Sequence, residues 1–91
     1  MLHELKAQVG KINKNFVETM NSLGELEFYL EKFPSFDSSL EYKIYLDRPA
    51  LCLSLRFNSV ENAVAFSDIS NNVKYLEKKV TGVCVLYTFL L

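Results

Sequence analysis

One histidine, two cysteines and three scattered glycines leave this chain short of the groups that most catalytic and metal sites require. His3 has no second imidazole, and Cys52 and Cys84 fall in no CxxC or HxxxH spacing, so a zinc site with its usual four ligands is not expected. Activating either thiol would need a neighbouring base or positive field. Both cysteines instead sit in strand-like patterns, where the residue serves as a small apolar filler. Gly10, Gly24 and Gly82 lie far apart, so no glycine-rich loop is available to cradle a phosphate.

Two cysteines are too few for the disulfide framework typical of small secreted domains. The start, Met-Leu-His-Glu-Leu-Lys, lacks the basic and apolar segments of a signal peptide. No apolar run approaches the ~20 residues that span a bilayer; the segment from Val83 to Leu91 is about half that. Charge of one sign is also missing. Ten basic residues face eleven acidic ones, for a net charge of −1, which is unlike the usual nucleic-acid binder and opposes self-association only weakly. These absences point to a cytoplasmic protein with reduced thiols, no cofactor, no membrane contact and no enzymatic chemistry. Glu4, Glu18, Glu25, Glu27 and Glu31 are spread along a helical segment and do not read as a paired acid and base.

What the chain does have is apolar content, 49 % of its residues, including seven Phe and five Tyr. That suits a folded domain of residues 1–91 with a modest core. Its strongest pattern is a heptad repeat. Leu2, Val9, Phe16, Leu23 and Leu30 form one set; Leu5, Ile12, Thr19, Leu26 and Phe33 form the other. A seven-residue repeat places one apolar seam along a helix, and that seam requires a partner. The spacing predicts a heptad-patterned helix within 1–33; over 2–33 it would be about 48 Å long at ~1.5 Å per residue, ended by Pro34. Ser22-Leu23-Gly24-Glu25 fits a capping box and marks a candidate break near 22–24. There Met20 is a better apolar candidate than Thr19. The heptad phase continues across the glycine and favours one continuous helix.

Residues 40–91 read as a ββαβ unit. Leu40, Tyr42, Ile44 and Leu46 alternate with polar or charged neighbours, Asp47-Arg48-Pro49-Ala50 makes a turn, and Leu51, Leu53, Leu55 and Phe57 alternate again. This is an antiparallel hairpin. Asn58, with Glu61 three residues on, caps a helix expected over Val60–Val80. Its stripe would be Ala63, Phe66, Ile69, Val73, Leu76 and Val80, with Gly82 at its C-terminal end. A final strand, Val83–Leu91, is apolar on both faces and needs cover on each side. A strand–helix–strand crossover would make it parallel to the preceding strand. The fold expected is α+β: a long N-terminal amphipathic helix, a β-hairpin, a second helix and a C-terminal strand, with a three-stranded sheet packed on helices.

The functional expectation follows from the seam. We expect a non-enzymatic interaction module that pairs with itself as a homodimer or higher oligomer. It would act sterically on another protein as an adaptor or inhibitor, in the general character of small viral or plasmid-borne regulators, although no motif carries that comparison. The interface candidates are Leu2, Leu5, Val9, Ile12, Phe16, Met20, Leu23, Leu26, Leu30 and Phe33, joined by the aromatics Phe28, Tyr29 and Phe36. The alternative is a dimeric nucleic-acid-binding regulator using Lys6, Lys11 and Lys14. It is the weaker alternative because the net charge is negative and aromatic residues are missing from that patch.

Overall fold

A computed structural model of the chain describes residues 3–12, 15–32 and 40–90, with the side chains of residues 3–5, 8 and 12 outside that description. Its elements are α1 (His3–Ile12), α2 (Phe16–Glu31), β1 (Glu41–Asp47), β2 (Ala50–Arg56), α3 (Val60–Ile69), β3 (Glu77–Thr81) and β4 (Cys84–Leu90). The strands form one antiparallel sheet in the order β1-β2-β4-β3. The class is α+β as expected, but the sheet has four strands rather than three.

The N-terminal helical region is divided elsewhere than at the candidate break. α2 runs through Gly24, and Ser22 is buried within the helix instead of capping one. A mid-helix glycine costs about 1 kcal/mol relative to alanine, but Leu23 and Leu26 on either side are fully buried. Each is worth roughly 1.5–3 kcal/mol in transfer from water, enough to hold the turn. The two helices are instead distinct elements, α1 ending at Ile12 and α2 starting at Phe16, and the described residue ahead of α2, Asn15, is a weak helix former. The backbone carbonyl of Asn15 accepts the first bond of α2, from Thr19 N at 3.0 Å.

The hairpin β1–β2 has the expected turn, closing with Asp47 opposite Ala50. The cap of α3 is Ser59, one residue after the expected Asn58; its Oγ accepts from Asn62 N at 3.1 Å. Asn58 contributes instead by accepting from the Asn62 side chain at 2.6 Å.

The larger correction concerns residues 70–81. The helix expected to reach Val80 stops at Ile69. Ser70, Asn71 and Asn72 are poor helix formers. The Ser70 hydroxyl is buried, bonded to both the Ser67 carbonyl and the Tyr87 hydroxyl. Val73 still reaches the core, but from a turn, and Leu76 is left largely exposed. The chain then forms β3 against β4. Gly82 takes φ 58° in the two-residue loop between Thr81 and Cys84, a hairpin connection that calls for positive φ. Gly82 therefore turns a hairpin and ends no helix. Because β3 reverses the chain once more, β4 runs antiparallel to β2 where a parallel crossover was expected.

One face of the sheet carries Tyr42, Ile44, Leu51, Leu53, Leu55, Val85, Tyr87 and Phe89, in register across three strands. All three helices contribute to the core against this face: Val9 from α1, Leu23, Leu26 and Leu30 from α2, Ala63 and Phe66 from α3. Phe66 packs edge-on to Tyr87 at 6.3 Å and against Phe57 at 5.2 Å. The other face presents Lys43, Tyr45, Cys52, Ser54, Cys84, Leu86, Thr88 and Lys79, and no helix among the described residues contributes to a core there.

Candidate interaction surface on the second helix

α2 has two apolar sides. Leu23, Leu26 and Leu30 turn inward and are 0–3 % exposed. Phe16, Val17 and Phe28 turn outward, at 42 %, 67 % and 52 % exposed. Phe16, Met20, Gly24 and Phe28 recur every four residues, the spacing of one inclined row on a helix surface. Each member of that row is shaped by its neighbours. The Phe16 ring lies beside α1, within 3.5 Å of where a side chain on Gly10 would begin. Met20 is half-buried against the core. Phe28 stands edge-on to Tyr29 at 5.7 Å, with Lys32 Nζ 4.1 Å from its ring centre. Between Met20 and Phe28 the surface dips over Gly24, bordered by Asn21, Glu25 and Asn72. A side chain at Gly24 would meet nothing within 4 Å. The chain's own packing therefore does not require a glycine there, although helix propensity disfavours it.

The residues expected at an interface are distributed as follows. Val9, Leu23, Leu26 and Leu30 are buried in the chain's own core. Met20 and Tyr29 pack partly against that core, while Phe16 and Phe28 are exposed. Leu2, Phe33 and Phe36, and the side chains of Leu5 and Ile12, lie outside the described residues. Two members of the outward surface were not singled out from sequence. Val17 falls off the heptad template, and the sequence pattern marks Gly24 only as a helix breaker. Reading i, i+4 from Phe16 would have picked out Gly24 as the gap between Met20 and Phe28.

Lys6 donates to Glu27 at 3.1 Å and ties α1 to α2. Lys11 is exposed, and Lys14 lies outside the described residues. Cys52 and Cys84 are free thiols on the open face, in different rows of the register: Cys52 pairs with Tyr45 and Thr88, Cys84 with Arg56 and Thr81. Burial pushes the Tyr45 hydroxyl's pKa up, aided by Cys52 and Asp47. Burial lowers the pKa of Lys78, whose Nζ donates to the Ser67 carbonyl at 2.8 Å and to Asn71 Oδ1 at 2.6 Å. Among the described residues no three His, Cys, Asp or Glu side chains converge to hold a metal, and no helix is long and apolar enough to cross a membrane.

Fold and surface together define a small α+β domain with helices layered on one face of a four-stranded antiparallel sheet and an apolar row left on the outside of one helix. No family model, no curated protein and no solved structure matches the chain.

Proposed function

We propose that this chain is a small, non-enzymatic, cytoplasmic interaction module that forms a homodimer through the outer row of α2 and acts sterically on a partner protein, as an adaptor or inhibitor. The observation that carries the proposal is the row Phe16, Met20, Gly24 and Phe28, exposed or half-exposed and centred on an unfilled glycine.

The row is suited to a second copy of itself. Met20 and Phe28 are each four residues from Gly24. A two-fold axis through Gly24, with the two helices antiparallel, sets Met20 of each copy against Phe28 of the other, as an isologous interface requires. Sulfur–aromatic contacts of this kind are worth about 0.3–1.5 kcal/mol each. The same axis brings Phe16 to Lys32 of the other copy, extending the cation–ring contact that Lys32 already makes. Two glycines at the crossing let the helix backbones approach closely. Net charge of −1 per chain adds little repulsion. The free thiols of Cys52 and Cys84 suit a reducing compartment. With the helix row occupied, the open sheet face of each copy is left for the partner.

The test is mass in solution by sedimentation equilibrium, for the wild type and for Phe28→Asp. A dimer that becomes a folded monomer on Phe28→Asp is the expected result. A wild-type protein that stays monomeric at high concentration, or a Phe28→Asp variant that remains dimeric, defeats the proposal.

A further inference from the structure

A cavity of about 230 Å³ opens between the N-terminal half of α2 and the adjoining ends of β3 and β4. Two hydroxyls, those of Thr19 and Ser22, line it from the inward side of α2. Both residues are 4 % exposed, and neither side chain has a hydrogen-bond partner among the described residues. A buried hydroxyl without a partner destabilises the fold, and native interiors satisfy nearly all such groups with protein or ligand atoms or ordered water. Tyr75, Leu76, Phe89 and Leu90 give the wall an apolar and aromatic side, with Leu76 and Leu90 partly open to solvent, and Asn15, Glu18 and Lys74 give it a polar one. At the rim, Lys74 donates to Glu18 at 2.9 Å, so the two charges there cancel.

An apolar cavity of about 150 Å³ accepts benzene; this one is larger and carries a polar edge. Serine and threonine hydroxyls both donate and accept, so they complement a group that does the same. The neutral rim selects against a net charge.

We infer that the cavity binds a neutral, single-ring aromatic molecule bearing a hydroxyl, with its ring between Tyr75, Leu76 and Phe89 and its hydroxyl on Thr19 Oγ1 and Ser22 Oγ. The site lies on the inward side of α2 and does not depend on dimer formation. The experiment is a titration of the ¹⁵N-labelled protein with phenol and, separately, with toluene, which has the same ring without the hydroxyl. Phenol is expected to shift the amides of residues 18–22, 75–76 and 89–90 saturably and to bind about ten-fold tighter than toluene, the discrimination that one or two buried hydrogen bonds give. Thr19→Val is expected to reduce that preference. Repeating the titration on Phe28→Asp separates this site from the dimer surface, since its shifts should be unchanged. Absence of saturable shifts with phenol, equal affinity for toluene in the wild type, or shifts mapping away from these residues would overturn the assignment. Because the phenol–toluene comparison uses the unaltered protein, it decides the question even if Thr19→Val does not fold.

Discussion

The inner and outer sides of α2 are built from similar side chains and have opposite surroundings. Leucines at 23, 26 and 30 meet the apolar face of the sheet, while Phe16, Val17 and Phe28 meet solvent. Hydrophobicity alone does not separate them; the position of the sheet does. The inner side stabilises the fold, and the outer side, on our reading, stabilises association. The two can therefore be altered independently, and mutations that move one property without the other test the division.

The largest effect is expected on the inner side. Leu26→Ala should destabilise the chain by about 2–5 kcal/mol, the cost of deleting a buried leucine and leaving a cavity. For a domain with only ~5–15 kcal/mol to lose, that brings the fold near its limit. Phe28→Ala, on the outer side, should change monomer stability by about 0.5 kcal/mol or less. Urea unfolding of both variants, at protein concentrations low enough to keep the chain monomeric, makes the comparison. Equal losses would erase the distinction between the two sides.

Next in size is the polar contact beneath α3. The Tyr87 hydroxyl is buried against Ser70. Ser70→Ala should cost about 1–3 kcal/mol by leaving the tyrosine unsatisfied. Burial also holds the Tyr87 pKa well above its ordinary value of 10.0. The folded state thus keeps the proton that the unfolded chain gives up, so this stabilisation is complete below pH 10 and is lost as pH rises through the folded-state value. Lys78 acts the other way. Its lowered pKa makes the folded state a poorer proton binder, and that penalty fades as pH approaches 10.5. Comparing wild type with Tyr87→Phe isolates the tyrosine: the variant's stability should fall less steeply above pH 10. A parallel decline in both would assign the alkaline loss elsewhere.

How much of this was legible in the sequence depends on which signal was local. The first hairpin was readable because alternation from Leu40 to Phe57 and the turn at Asp47–Ala50 agree with each other. The second hairpin was not. Val73, Leu76 and Val80 continue the spacing of a helix begun at Val60, and Glu77-Lys78-Lys79 has good helix formers. The signals that overrule the spacing are tertiary. Ser70 bonds to a tyrosine seventeen positions away, and β4 offers its edge to β3. For the interaction surface, the heptad template correctly grouped Leu23, Leu26 and Leu30 on one side but could not say whose surface covers them. The cavity was invisible, because Thr19 looked like a flaw in the seam and Ser22 like a cap. Their common wall exists only once β3 and β4 are in place.

Gly24→Ala gives a smaller effect but opposite signs in two assays. In the monomer the added methyl meets open space and raises helix propensity, so stability should increase by about 1 kcal/mol. In the proposed dimer the same methyl enters the crossing point twice and should weaken association. Thermal unfolding of the monomer and sedimentation of the dimer read the two separately. Association that is unchanged or tightened would exclude a helix crossing at Gly24.

The smallest expected effects come from two ion pairs that flank the helix. Lys74 and Glu18 are 71 % and 60 % exposed at their side chains, whereas Lys6 and Glu27 are 25 % and 34 % exposed. Water and salt screen the first pair strongly, so a double-mutant cycle with Lys74→Met and Glu18→Gln should give a coupling near zero, within about 0.3 kcal/mol. The Lys6–Glu27 pair is more sheltered and joins α1 to α2, so its coupling should approach about 1 kcal/mol and persist better in added salt. If the exposed pair proves the stronger, the rim of the cavity is more enclosed than its solvent exposure indicates. The electrostatic neutrality assigned to that rim would then be a structural constraint on α2 as well as a feature of the binding site.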